Sequence, residues 1–371
     1  MLNRGIGAIA CLILGQMMFG QAAMVNAQQV ANCGDSRPTS LETPWAGQGD
    51  LWCVEHVSAA PSLGAVGYTQ LAVVGDALYA IVPERGELVR FTDSDNDALP
   101  DAPETVLDGL IYPTALAADG DSLYLASRTP ADLTRARITR YIPADEASTV
   151  LLDDLPSGWT GYPLGGLAVQ ADGLYISVGG DAACSDGRGT IYRYGLADAT
   201  LETIATGVYM PSRVVAYAGD LWFADAHTDT LWALRPNTDY GACAGTPPAG
   251  IAHYRFRAGS APLDLSAYQD GALEPLSGAL LVALRGTSGQ IIVEGYEVVA
   301  LHSNGALWEE TGVLPVVPPQ LNLTEQKMHL QRSGFYPRHV YGVTVNARGW
   351  VYISAGDGQI IALRPIAAFA L

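Results

Sequence analysis

One unit recurs six times along this chain: a Gly/Asp-type turn, then a short apolar strand of the Leu-Tyr type. Leu78-Tyr79-Ala80-Ile81 follows Gly75-Asp76, Leu123-Tyr124-Leu125-Ala126 follows Asp119-Gly120-Asp121, and Leu174-Tyr175-Ile176-Ser177 follows Asp172-Gly173. Leu221-Trp222-Phe223-Ala224 follows Gly219-Asp220, Leu280-Leu281-Val282-Ala283 follows Ser277-Gly278, and Val351-Tyr352-Ile353-Ser354 follows Arg348-Gly349. A further strand comes after each copy, at 87–91, 137–141, 190–194, 230–234, 296–300 and 359–363. Most of these alternate apolar and polar residues with period two, as half-buried strands do. A unit this thin cannot bury its own apolar faces and needs a neighbour on both sides. Six units without a linker therefore predict an all-β fold, a six-bladed β-propeller of four-stranded blades.

Spread over residues 61–371, the copies average about 52 residues each, the length of such a blade with its loops. A β-sandwich or a string of small β domains is the competing architecture, and neither explains an unbroken sixfold repeat. Pro113, Pro163, Pro211 and Pro262 each enter a small-residue strand ahead of a Leu-Tyr strand. A proline at the start of a strand costs no ladder hydrogen bond, and small residues suit the crowded strand nearest the axis. The spacing between copies is widest before the fifth and sixth, which predicts an insertion or long loop over 308–336.

Ahead of the repeat, Arg4, an apolar run over 6–19 and the small residues Val25 and Ala27 read as a cleaved secretory signal over 1–27. The run is short for a membrane anchor, and Gln16 interrupts it. The expectation is a periplasmic or secreted protein with no membrane span after cleavage. Cys33, Cys53, Cys184 and Cys243 then remain, an even number in an oxidising compartment. Three pairings are open. Proximity favours Cys33–Cys53, stapling an N-terminal segment over 28–60, with Cys184–Cys243 tying two distant loops. A metal site is the alternative, but no CxxC and no histidine at ligand spacing supports it.

The formal net charge of −18 argues against nucleic acid and anionic membrane surfaces as partners, because both need a basic face. The 41 glycines and 22 prolines are spread along a chain that is 49% hydrophobic, so it is turn-rich with ample core. There is no GxSxG, no HExxH and no P-loop. Nucleophile-elbow hydrolysis, zincin chemistry and nucleotide binding all lose support.

Four stretches carry a family likeness. They are Ala205-Thr206-Gly207-Val208-Tyr209-Met210-Pro211 with the strand over 220–225, Ala261-Pro262-Leu263-Asp264-Leu265, the strand over 278–286 with Gly295-Tyr296-Glu297-Val298-Val299, and the closing unit from Gly342 to Ile360. They resemble the soluble quinoprotein glucose dehydrogenase and sorbosone dehydrogenase family, over most of 61–365. The resemblance implies oxidation of a sugar or other carbonyl substrate with pyrroloquinoline quinone (PQQ), aided by calcium, at the channel mouth. It also exposes departures. The family's general-base histidine precedes the third blade, where this chain has Tyr162 and no histidine over 155–163. An unperturbed tyrosine titrates near pH 10, which makes Tyr162 a poor base near neutrality. The family's Arg-Asn pair corresponds to Tyr209 and Met210, and a second family histidine corresponds to Arg285. A quinone bearing carboxylates needs cationic partners. Arg213, Arg285 and Lys327, the only lysine, are the cofactor-binding candidates.

The run over 93–104 sets oxygens at positions 1, 3, 5, 9 and 12, the spacing of a calcium loop. Its ligands would be Asp93, Asp95, Asp97, the Leu99 carbonyl, Asp101 and Glu104. Ala98 stands where such a loop has glycine, and the alternative is a solvated acidic connection between blades. Asp225, His227 and Asp229 alternate along one loop, suited to cation binding or acid–base work, or else to solvation. His339, at the entry to the sixth inner strand, is the candidate replacement base; the alternative is a hydrogen-bonded structural histidine. Asp264, on the fifth inner strand, is the candidate channel carboxylate. With Tyr162 these make up the catalytic candidates. The leading reading is a PQQ-dependent sugar dehydrogenase. Its rivals are a non-catalytic propeller that binds a ligand or protein partner on its top face, and a calcium-dependent lactonase-type hydrolase.

Overall fold

The computed structural model describes residues 67–94, 101–158, 165–181, 184–241, 248–286, 294–305, 307–314, 339–355 and 358–365, with the backbone of 52–59 and the Val57 side chain. Apart from one 3-10 turn, Glu274–Leu276, the described residues form strands and loops. Six sheets result. Blade 1 runs through Leu71–Val74, Ala77–Val82, Glu87–Phe91 and Glu104–Leu107, and blade 2 through Ile111–Asp119, Ser122–Arg128, Arg135–Ile142 and Ala147–Pro156. Blade 3 is Gly166–Gln170, Gly173–Val178, Thr190–Tyr194 and Leu201–Thr206, extended by the short parallel strand Thr238–Asp239. Blade 4 is Val215–Tyr217, Asp220–Asp225, Thr230–Ala233 and His253–Arg255; blade 5 is Pro262–Tyr268, Ala279–Leu284, Glu297–Ser303 and Trp308–Leu314. The fold is the six-bladed propeller that the repeat predicts.

Blade 6 combines Val340–Val345, Val351–Ala355 and Gln359–Pro365 with Trp52–Ala59 as its outermost strand. That strand pairs antiparallel from Trp52↔Pro365 to Ala59↔Gln359. Segments far apart in the sequence thus close the ring through one ladder of backbone hydrogen bonds. The propeller therefore starts by Trp52 rather than at 61, because a strand lent from before the repeat leaves no repeat signal of its own. The expected insertion over 308–336 also begins later, since Trp308–Leu314 is the outer strand of blade 5.

The Leu-Tyr strands are almost wholly apolar because both of their faces are covered. In blade 1, Leu78, Ala80 and Val82 pack with Trp350, Tyr352 and Ile360 of blade 6. Tyr79 and Ile81, on the opposite face, pack with Leu116, Leu123 and Leu125 of blade 2. Period-two alternation thus sends successive residues into two different interblade cores. Toward the axis the backbones crowd. A Cβ on Gly166 would sit 2.2 Å from the Arg213 nitrogen, and one on Gly165 would sit 1.7 Å from the Pro211 oxygen. Glycine there lets blade 3 meet the approach to blade 4.

Candidate functional site

Near the axis, a single polar network joins all six blades. Gln70, almost wholly buried, donates from Nε2 to the Gly165 carbonyl (3.2 Å) and accepts the Leu116 N–H at Oε1 (2.8 Å). Arg213 grips Asp264 with two parallel bonds, Nε–Oδ1 at 2.5 Å and Nη2–Oδ2 at 2.8 Å, and Nη2 also points at the Leu71 carbonyl (3.4 Å). Asp264 Oδ2 accepts the Val343 N–H at 3.0 Å. The Asp264 side chain is fully buried and that of Arg213 is 11% exposed. Burial pushes the Asp264 carboxyl up, while the guanidinium and the Val343 amide pull it down. With both oxygens facing donors, the geometry is that of an ionised carboxylate in a fork-to-fork pair. Two sequence candidates, one cationic and one acidic, are therefore brought together, and each occupies the other.

A second cluster of candidates lies at the end of the ring where the inner strands begin. Asp225, 1% exposed, accepts the N–H groups of Tyr209 (2.7 Å), Met210 (3.3 Å), His227 (3.0 Å) and Thr228 (3.4 Å). Asp229 accepts those of Gly259 (2.8 Å) and Ala261 (2.7 Å). These carboxylates fix the loops leading into blades 4 and 5, which is neither the cation site nor the solvated loop considered above. His227 is exposed and stacks on Tyr209, with ring centroids 4.1 Å apart. Ala226, Ala261, Leu263 and Tyr341, with Met210 against them, form an apolar floor shared by blades 4, 5 and 6.

His339 stands at the edge of that floor. It stacks on Tyr296 (4.9 Å) and meets Tyr341 edge-on (6.2 Å), and the Arg285 guanidinium lies over the Tyr341 ring (5.9 Å). His339 Nδ1 lies 2.9 Å from the Arg285 carbonyl oxygen. A carbonyl can only accept, so Nδ1 carries the hydrogen and Nε2 is the basic nitrogen. Burial pushes the imidazole below its ordinary value and the Arg285 charge adds to this, while the carbonyl bond opposes them. The ring is neutral near pH 7, with its lone pair on Nε2.

The other candidates divide. Tyr162 and Lys327 lie outside the described residues, as do Asp95, Asp97 and Leu99. Of the remaining calcium candidates, Asp101 Oδ2 accepts from Ser94 N–H (2.7 Å) and Oγ–H (2.5 Å), and Glu104 pairs with Arg90 at 2.6 Å. The Asp93 carboxyl contributes to the surroundings of Tyr352 in blade 6. Among the described residues no group of three or more acidic, histidine or cysteine side chains could hold a metal ion. Cys33 and Cys243 are also outside, which leaves both expected disulfides as proposals. No helix among the described residues is long and apolar enough to cross a membrane. The sequence reading missed Tyr296 as the ring beneath His339 and Glu297 beside it. An acidic residue on a strand apolar on both faces was the available signal.

No protein-family model and no curated protein matches the chain. Solved structures do. The apo form of the soluble aldose sugar dehydrogenase from Escherichia coli is 14% identical with a TM-score of 0.59, covering 85% of this chain and 99% of that one. A putative oxidoreductase (glucose dehydrogenase) from Thermus thermophilus is 16% identical with a TM-score of 0.58, covering 84% and 99%. The PQQ-bound aldose sugar dehydrogenase from Streptomyces coelicolor is 15% identical with a TM-score of 0.57, covering 85% and 98%. The chain thus shares the propeller fold of these sugar dehydrogenases at low identity, in agreement with the resemblance read from its sequence.

Proposed function

We propose that the protein oxidises the lactol or aldehyde carbon of a sugar-like substrate on its top face, with His339 as the base. The observation that carries this reading is the pinned imidazole: Nδ1 is committed to the Arg285 carbonyl, so Nε2 is left basic above an apolar, aromatic floor. As the substrate C–O becomes C=O, the hydroxyl proton passes to Nε2. General-base help of this kind is worth about 10²–10⁴ in rate. Tyr209 and the exposed His227 offer flat ring surfaces, and Arg285 offers a cation. This donor set fits a planar anionic quinone, with Arg285 meeting a carboxylate and Lys327 as a second candidate. PQQ, when bound, supplies the hydride acceptor.

Arg213 is withdrawn from that role by Asp264. The same pair disfavours the hydrolase reading, which needs inward carboxylates around an axial metal. The absence of a histidine over 155–163 favours a second reading, a propeller that binds a ligand or protein partner without turnover. Export behind a cleaved signal over 1–27 and the Cys33–Cys53 and Cys184–Cys243 bonds belong to the proposal, and mass spectrometry of the non-reduced secreted protein tests both. The function is tested by titrating the protein with PQQ, with and without calcium, following thermal stability and quinone absorbance. Saturable stabilisation with a perturbed spectrum supports the dehydrogenase; no binding at high quinone supports the second reading.

A further inference from the structure

At the start of strand Glu297–Ser303, two consecutive residues, Tyr296 and Glu297, go to two different interfaces. Tyr296 faces blade 6, where its ring lies under His339. The residues that follow alternate: Val298 and Ala300 pack toward blade 6, and Val299 and Leu301 toward blade 4. Glu297 shares the parity of Val299, and it opens into a cleft of about 190 Å³ between blades 4 and 5. Arg257, Ser260, Leu284, Glu294, Glu310 and Gly312 complete the lining of that cleft.

The charges in the cleft do not balance. Three glutamates face one arginine, and Arg257 is 79% exposed and 3.6 Å from Glu294 rather than from Glu297. Glu310 accepts the Tyr254 hydroxyl at 2.7 Å. Burial first, then the charges of Glu310 and Glu294, push the Glu297 carboxyl up to about 8, and Arg257 opposes them only in part. Glu297 is thus protonated near neutrality. The peptide joining the two interfaces is strained as well. Gly295 has φ +75° and Tyr296 φ +63°, a left-handed conformation that a bulky aromatic residue rarely adopts. A Cβ on Gly295 would lie 2.6 Å from the Gly286 Cα, so this turn is packed against the segment that carries Arg285.

We propose that Glu297 is a proton-operated switch for the top-face site, acting through the Tyr296 ring on which His339 stacks. With its proton on, Glu297 tolerates Glu294 and Glu310, and the Tyr296 turn holds His339 in place. When the proton leaves, three like charges share the cleft, and the strained turn is the element that yields. His339 stacks on the ring and is bonded through Nδ1 to the Arg285 carbonyl, so the stack and that bond shift with it. This deepens the function proposed above, yet its readout stands whether or not the protein oxidises sugars.

The test is a proton NMR titration of the His339 Cε1–H resonance, assigned by its loss in His339→Gln. The expected result is two steps, one below pH 6.5 from the imidazole itself and one near pH 8 from Glu297. Glu297→Gln removes the upper step and leaves the lower one. Glu310→Gln, which deletes one like charge, moves the upper step to lower pH and keeps the proposal testable if the first variant folds poorly. A single step in the wild type, an upper step that survives Glu297→Gln, or an upper step unmoved by Glu310→Gln overturns the switch.

Discussion

Asp264 and Glu297 are both carboxyls of the fifth blade, Asp264 wholly buried on its inner strand and Glu297 half-buried on its third, and their surroundings differ. Asp264 receives a two-pronged guanidinium and a backbone amide, and it stays charged. Glu297 receives two like charges and a distant, exposed arginine, and it keeps a proton. Burial pushes both carboxyls up, so burial alone does not tell them apart. What tells them apart is whether a cation or a donor is built to meet each. The first arrangement holds the ring together and is closed to chemistry. The second places a titration near physiological pH beside the imidazole of His339.

The largest break in this comparison is Asp264→Ala, which leaves Arg213 buried without its partner. We expect a loss of about 3–5 kcal/mol by chemical denaturation. Asp264→Leu combined with Arg213→Met should recover most of it, since removing both charges removes the desolvation cost. Glu297→Gln acts in the opposite direction. The folded acid titrates at about 8, above its unfolded value of 4.5. Between those values the folded state binds more protons than the unfolded one, so wild-type stability falls as pH rises from 4.5 to 8 and then levels off. The glutamine variant should flatten that slope and gain up to about 5 kcal/mol above pH 8, read as denaturation midpoints across pH.

Asp225 is an intermediate case, buried with four amides and no cation. Asp225→Ala should cost about 2 kcal/mol and loosen the Tyr209 loop, seen as faster amide exchange there. The exposed pair Arg90–Glu104 sets the lower limit. Glu104→Gln should change stability by less than about 1 kcal/mol, and the change should shrink in high salt.

The sequence made the repeating parts legible. All six Leu-Tyr strands and the six strands that follow them fall where local periodicity puts them, because each is defined by residues two apart. Pairings between distant residues were not legible. Trp52–Ala59 joins Gln359–Pro365 across almost the whole chain, and Arg213 finds Asp264 51 residues away. Arg213 reads as a cofactor-binding candidate and Asp264 as a channel carboxylate, but nothing local marks them as partners. His339 was legible only as a lone histidine at a strand entry; its tautomer and its stack depend on Arg285 and Tyr296. Glu297 stood inside a quoted motif without notice, because its meaning comes from Glu294 and Glu310.

The central claim, that His339 is the base of a top-face oxidation, is tested most directly by single-turnover reduction of bound PQQ by aldoses, followed by absorbance in wild type and His339→Gln. The account predicts that the variant still binds the quinone but reduces it at least about 100-fold more slowly. Equal rates in the two proteins would contradict it.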